Sequence, residues 1–370
     1  MGILRFLLAA AVIVGHSSSF FGLPLLDAGT AVKSFFVISG FYMALILDQK
    51  YPQKQGGLRL FYTNRFLRIF PLYYAVLLFS LLFYAAAAVA MKHPVDRLAY
   101  WVQAAHLGLW PILGLIVLTQ FSVVGLDVTP LFSFSGEKGF ALRGESEPAD
   151  AVPAWRLNFL PHAWSIGAEL VFYAVAPFLV KLSWRLLLAL VFLHCAVSAI
   201  LSVYFPGVLT GVFLYHFSLM QMGFFALGIL AYRVYRSGVA SVPSLHMAGR
   251  GVVAAVFVLG CLAGAWHSFL CGYGYVLLIF AALPFLFEMT KNSKTDRFIA
   301  ELSYPMYLSH IPMKWVLLGC MGVQVKDEVV VSGSLLLCVT VAFSLLLVYV
   351  IDRPLERFRQ QRFQKAATAT

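Results

Sequence analysis

The stretch IFPLYYAVLLFSLLFYAAAAVAM, residues 69–91, carries no charged side chain. Coiled as a helix it is long enough to cross the ~30 Å hydrocarbon layer of a bilayer, which takes about 17–25 apolar residues. Immediately before it, YPQKQGGLRLFYTNRFLR (51–68) holds Lys54, Arg59, Arg65 and Arg68 without one acid. An apolar run entered from a short basic loop marks a transmembrane helix whose entry side is cytoplasmic, since Lys and Arg are kept on that side. The pairing recurs along the chain. Of 370 residues, 61% are hydrophobic and 12% charged, too little polar surface for a fold dissolved in water. The net charge of +11 sits in these short loops, so it speaks for membrane topology and against nucleic-acid binding.

Ten runs have spanning length, at about 3–22, 30–48, 69–91, 163–180, 186–204, 213–232, 251–267, 271–289, 300–318 and 329–351. An eleventh, about 105–119, has the length of a re-entrant or interfacial segment. If it does not cross, the loop with Lys50, Lys54, Arg59, Arg65 and Arg68, the clusters Lys181/Arg185, Arg233/Arg236/Arg250 and Lys291/Lys294/Arg297, and the tail Arg353/Arg357/Arg359/Arg362/Lys365 share one side. The 120–162 loop then lies outside, with Asp127, Glu137, Glu145, Glu147 and Asp150 against Lys138, Arg143 and Arg156. The expectation is an all-α polytopic transmembrane helix bundle of about ten spans plus that one segment. It forms a single domain over 1–370, with an extracytoplasmic loop at 120–162, a basic cytoplasmic tail at 352–370 and both termini inside. The 120–162 loop is a lid or a connector, and a connector is the simpler expectation. Residues 3–22 read as a retained span, with no small-residue cleavage site after them. Cys195, Cys261, Cys271, Cys320 and Cys338 show no CxxC or Cys/His spacing, so they are expected as small buried residues.

Ionisable groups inside spans mark function or a structural pair. Arg5 and His16 are eleven positions apart, about three turns and ~16 Å along one helix face. A buried neutral histidine can take a proton from a hydroxyl, or it can simply bond a neighbouring helix. In FFVISGF (35–41) Gly40 permits close helix contact, and Ser39 brings a hydroxyl to the depth range of His16; packing is the default reading. Arg65 and Arg68 are plain anchors or, with Arg5, a cytoplasmic anion site, because the guanidinium fork matches phosphate oxygens. His162, Ser165 and Glu169 share a helical face after Pro161, and Glu169 is the only acid of its span. It orients His16, binds an acceptor hydroxyl or pairs with an arginine. In SYPMYLSH (303–310) the tyrosines and His310 read first as interfacial anchors. No Walker loop, GxGxxG, HExxH, GxSxG elbow or Cys/His metal spacing occurs.

Together these stretches resemble the acyltransferase 3 family of membrane-embedded acyltransferases. Arg5 and His16 resemble its R/K-x10-H motif, FFVISGF its FFxxSGF element, and Arg65, Arg68 and Pro71 its RxxRxxP stretch. Trp164-Ser165, Glu169 and Phe172-Tyr173 resemble WSxxxExxFY, while Ser303-Tyr304, Tyr307-Leu308 and His310 resemble SYxxYLxH. Three positions depart from the pattern: Lys33 where many members carry an acid, Asn64 in place of one arginine of a frequent pair, and Asp352 where Glu-x-Pro is usual. Lys33 is expected to alter the outer rim of the site.

The resemblance implies a bacterial inner-membrane O-acyltransferase of the stand-alone type, without an SGNH domain. Such an enzyme moves an acyl group, usually acetyl, from cytoplasmic acyl-CoA to a carbohydrate hydroxyl such as those of O-antigen or exopolysaccharide. Acetyl-CoA is then a co-substrate, with no permanently bound cofactor or metal. His16 and Glu169 are the expected catalytic pair and Arg5, Arg65 and Arg68 the donor site. Ser39, Trp164, Ser165, Tyr304, Tyr307 and His310 line or support it. The rival reading from another class is a transporter or flippase of lipid-linked saccharides, although no repeated halves with paired broken helices are evident.

Overall fold

The computed structural model describes residues 1–23, 25–51, 57–92, 97–262, 269–322 and 330–368. Lys54, residues 263–267 of one expected span and residue 329 of another lie outside these ranges. Fourteen α-helices follow one another among the described residues: α1 (Gly2–Gly15), α2 (Ala28–Gln49), α3 (Gly57–Met91), α4 (Arg97–His106), α5 (Trp110–Ser122), α6 (Trp164–Leu179), α7 (Trp184–Tyr204), α8 (Val208–His216), α9 (Ser218–Arg236), α10 (Pro243–Leu262), α11 (Phe269–Thr290), α12 (Lys294–Cys320), α13 (Gly333–Leu347) and α14 (Arg353–Thr368). A π-helical turn, Val348–Asp352, joins α13 to α14. The chain is a helical membrane protein, and each of the ten expected spans falls on one of these helices or helix pairs. By length and apolar composition seven helices can cross a bilayer, or eight if α8 and α9, bent by 43°, count as one. The two expected spans outside that count are α1, only 14 residues long, and α12, whose first turns carry Lys294, Asp296, Arg297 and Glu301. The 105–119 run ends α4 and forms most of α5, whose 13 residues are too few to cross, as the sequence leads one to expect.

α1 lies at the centre of the bundle, with Leu4, Leu8, Ala9 and Ile13 almost wholly buried. It runs parallel to α12 and in register with it. The Asp296 carboxylate accepts the Gly2 and Ile3 N–H groups at 2.7 and 3.0 Å, satisfying two of the bare donors at the helix start. At the other end the His16 and His310 rings lie 5.2 Å apart. The partners have the same sequence offset, 294 residues, at both ends. α2 crosses α9 at a reciprocal small-residue contact: a Cβ on Gly40 would strike the Phe225 carbonyl, and one on Gly228 would strike that of Val37. Backbones approach this closely in membrane bundles where glycine leaves room. The Asp27 carboxylate caps α2 by accepting the Thr30 N–H at 2.9 Å.

The 120–162 segment folds, and with α4 and α5 it forms a layer over one end of the bundle. Strands β1 (Phe132–Ser135), β2 (Gly139–Leu142) and β3 (Val152–Pro153) make a small antiparallel sheet in the order β2-β1-β3. Phe134, Val152 and Leu157 close a separate apolar core with Ala104, Leu113 and Ile116. Asp127 ties the layer to the bundle by accepting the Ser218 N–H and hydroxyl at 3.1 and 2.6 Å, at the bend between α8 and α9. The expectation of a plain connector is therefore corrected: the segment carries apolar residues enough for a core of its own. The cysteines are corrected too. Cys195, Cys261, Cys320 and Cys338 lie exposed on the outside of the bundle, where lipid is as apolar as the interior and a thiol loses little by facing it.

Replacing Gly40 or Gly228 by alanine is expected to lower the thermal midpoint in detergent, at a cost of about 1–3 kcal/mol from overpacking. Gly251→Ala on the open face of α10, where nothing lies within 4 Å, is expected to leave the midpoint unchanged.

Candidate active site

A cavity of about 250 Å³ runs between α1, α2, α3, α6 and α12. Because α1 and α12 run in register, depth along it can be read from the sequence. Arg5, Arg65 and Arg68 line one end; Ser39, Glu169, Tyr173 and Tyr304 line its length; Phe35, Ser165 and Tyr307 line the other end. Tyr307 stands level with Ile13 of α1, about one turn below His16.

The three arginines differ in their surroundings. Arg68 donates from Nη1 to both oxygens of Asp352, at 2.8 and 2.7 Å, and is thereby neutralised. Among the described residues no carboxylate lies within ion-pair distance of Arg5 or Arg65. Arg65 packs its guanidinium against the Phe61 and Tyr173 rings, 6.0 and 5.9 Å from their centroids, and its Nε is buried without a partner. Two cations thus face the cavity without an ion-pair partner among the described residues. A buried charge left so is costly, and an anion entering the cavity would complete it. Glu169 is the acid of the cavity wall. Its Oε1 accepts from Ser39 Oγ at 2.6 Å and its Oε2 from Tyr173 OH at 2.9 Å, so the hydroxyls hold it in place and neither arginine forms an ion pair with it.

Beyond the Tyr307 end sits a group of three histidines. The His162 and His310 ring centroids are 4.7 Å apart, and those of His310 and His16 are 5.2 Å apart. Their placement follows from proline chemistry. Pro312 has no N–H, so the Leu308 carbonyl four residues back loses its helical donor. His162 supplies one: its Nε2–H donates to Leu308 O at 2.9 Å. His310 donates from Nδ1 to Tyr307 O at 2.6 Å. Since carbonyls only accept, each ring carries its proton on the bonded nitrogen. The opposite atoms, His162 Nδ1 and His310 Nε2, are buried lone pairs with no hydrogen-bond partner among the described residues. Tyr307 OH donates to His162 O at 2.8 Å and receives Ser165 Oγ–H at 2.6 Å, so the cavity's inner wall and the histidine group form one network. His16 follows the last residue of α1 and is exposed. It is not among the residues lining the cavity. Among the described residues no His, Cys, Asp or Glu group has the arrangement of a metal site.

Of the residues singled out in the sequence, Arg5, Ser39, Arg65, Arg68, Ser165, Glu169, Tyr304 and Tyr307 meet at the cavity. His16 and His310 stand one layer beyond it. Glu169 bonds Ser39 and Tyr173, while His16 sits against His310, so acid and histidine occupy different levels. The reading of Tyr304, Tyr307 and His310 as interfacial anchors is corrected: α12 begins at Lys294, which puts them in mid-helix and Tyr307 and His310 deep in the core. Trp164 turns away from the cavity toward α8, with its ring 4.9 and 4.8 Å from those of Tyr215 and His216. Lys33 turns away as well, its Nζ 5.1 Å from the Tyr273 ring. It does not form the rim. Asn64 bonds Tyr51 OH at 2.9 Å and takes no part in the arginine group. Tyr42 and Tyr173 in the cavity wall, and Asp352 beside Arg68, were not singled out as site residues. Tyr173 belongs to the WSxxxExxFY-like stretch, and Asp352 is both a departure from the family pattern and an acid ending a long apolar span.

The family model described as an acyltransferase domain (Acyl_transf_3) matches residues 1–353. No curated protein and no solved structure matches the chain.

Removing Asp352 alone strands Arg68 in a largely buried place, with side-chain exposures of 23% and 7% in the pair. Asp352→Ala is expected to destabilise the protein by up to about 3–5 kcal/mol. The double substitution Arg68→Leu/Asp352→Leu should recover most of that, as read from thermal midpoints in detergent.

Proposed function

We propose a route for acyl transfer through this bundle, and its premise is plain: the chain belongs to the acyltransferase 3 family and is a membrane acyltransferase. The donor is a cytoplasmic acyl-CoA carrying acetyl or another short acyl group. Its phosphates bind at Arg5 and Arg65, with Arg68 beside them. The pantetheine arm extends along Ser39, Glu169 and Tyr304, and the thioester comes to rest near Ser165 and Tyr307. The acceptor is a hydroxyl of a cell-surface or lipid-linked carbohydrate, such as O-antigen or exopolysaccharide, approaching the exposed His16 from the opposite side. In this reading the membrane is the bacterial inner membrane, with both termini in the cytoplasm.

The observation that carries the reading is the polarity of one cavity: two arginines without an ion pair among the described residues at one end and a histidine group behind the other. A transferase with its donor and acceptor on opposite faces needs that order. His16 takes the proton from the acceptor hydroxyl as the oxygen attacks the thioester carbonyl. The carbon–sulfur bond breaks, the thiolate leaves, and the proton on His16 returns to it. His310, its ring tilted against that of His16 at 5.2 Å, orients it and shares the positive charge while it lasts. Glu169 keeps Ser39 and Tyr173 fixed along the arm and balances part of the arginine charge. A saccharide transporter would be expected to put its broken helix at the substrate path. The bent α8–α9 pair does not line the cavity, and family membership favours the enzyme.

Purified protein given radiolabelled acetyl-CoA and glycan acceptors is expected to move label onto the glycan. His16→Ala should lower turnover by about 10²–10⁴ with little change in KM for acetyl-CoA. Arg65→Gln should raise that KM roughly ten-fold or more, the worth of a charge-assisted hydrogen bond. Full activity in His16→Ala contradicts the assignment, and glycan translocation without transfer of label returns the transporter.

A further inference from the structure

The first turns of the basic tail lie beside Arg68, at the arginine end of the cavity. Asp352, in the turn that launches α14, is bonded to Arg68 of α3. Glu356 and Arg359 follow at four and seven positions, so they continue the same helix face outward. α3 runs the opposite way, which puts Arg65 one turn outward of Arg68 and alongside them. Arg359 does not extend into solvent. Its side chain is 12% exposed, its Nη1 bonds Glu356 Oε2 at 2.6 Å, and its Nε is buried with no hydrogen-bond partner among the described residues. It lies within electrostatic reach of Arg68, Arg65 and Asp352. From the α2 side Ile46 lines the cavity, and Lys50, one turn further out, lies within reach of Glu356, Arg359 and Arg65. Cations from two further elements, Arg359 of α14 and Lys50 after α2, thus lie just outside the arginines already assigned to the donor.

We propose that Arg359, held by Glu356 and supported by Lys50, forms a second anion subsite that binds the 3′-phosphate of the donor's adenosine. The inference rests on acyl-CoA being the donor. Coenzyme A carries a diphosphate next to the pantetheine arm and a monoester phosphate on the far side of the ribose, so two anion sites at different depths suit it. The monoester bears close to two negative charges at neutral pH. A guanidinium with a bare Nε–H, fixed through its other end by a carboxylate, offers a donor without further ordering of the side chain. Glu356 sets the position of Arg359, and the subsite adjoins Arg65, which forms no ion pair with a described carboxylate. In this account the tail is part of the donor site, and α14 is the wall that reads the nucleotide.

The test compares acetyl-CoA with 3′-dephospho-acetyl-CoA in the full-length protein reconstituted in nanodiscs. For the native chain the KM of the dephospho donor should be about ten-fold higher, with kcat unchanged. Arg359→Gln should raise the KM for acetyl-CoA by a similar factor and leave the dephospho donor untouched, and Arg359→Lys should restore part of the loss. An unchanged KM for acetyl-CoA in Arg359→Gln overturns the subsite. An equal loss with both donors overturns it too, since that marks a structural role. A native chain that discriminates the donors while Arg359→Gln discriminates equally well puts the phosphate elsewhere and leaves acyl transfer standing. Absence of turnover with either donor removes the acyl-CoA reading and the subsite with it.

Discussion

Arg5 and Arg65 hold positive charge inside an apolar bundle, and among the described residues neither forms an ion pair with a carboxylate. A protein surrounded by lipid can seldom sustain that, because a charge taken out of water is stabilised only by a partner, by hydrogen bonds or by a polar cavity. Here the rest of the architecture supplies the cavity. α1 carries Arg5 to its wall, and Asp296 holds the start of that helix. α3 carries Arg65, while Asp352 takes up the charge of the neighbouring Arg68 so that the site is not overloaded. Glu169 adds one negative charge without quenching either arginine, because two hydroxyls hold it to the wall. What remains is a pocket whose unmet requirement is an anion.

The opposite end depends on a missing backbone donor. Pro312 leaves the Leu308 carbonyl unclaimed, His162 claims it, and the ring is thereby fixed with its other nitrogen bare. His310 reaches the same state through the Tyr307 carbonyl. His162 lies tilted against His310, and His310 against His16 at the end of α1, whose 14 residues stop it short of a full crossing. A short helix, a proline and two backbone carbonyls therefore set a histidine group one layer above the cavity, with Tyr307 and Ser165 between them.

The helices were legible because composition dictates them: an uncharged 23-residue run such as 69–91 has few alternatives. The site was legible in part. Spacing along one helix placed Arg5 below His16, and Ser165 with Glu169. Contacts between distant segments were not legible. The partner of Arg68 lies 284 residues away, and no local pattern distinguishes a neutralised arginine from a free one. Tyr304 and Tyr307 looked interfacial because apolar counting starts the span at residue 300, whereas the helix starts at Lys294 under a serine cap. The 120–162 segment looked like a connector because its strands are two to four residues long, below the length at which alternation shows. Lys33 sits where a site residue was expected, but the sequence could not tell which side of α2 its chain would follow.

The central claim is that one cavity links a donor face to an acceptor face. It is tested most directly in proteoliposomes of uniform protein orientation, with labelled acetyl-CoA enclosed on the Arg5 side and the glycan acceptor supplied only on the His16 side. The account predicts that label appears on the outside glycan while coenzyme A stays within. Transfer only when donor and acceptor share one side would contradict it.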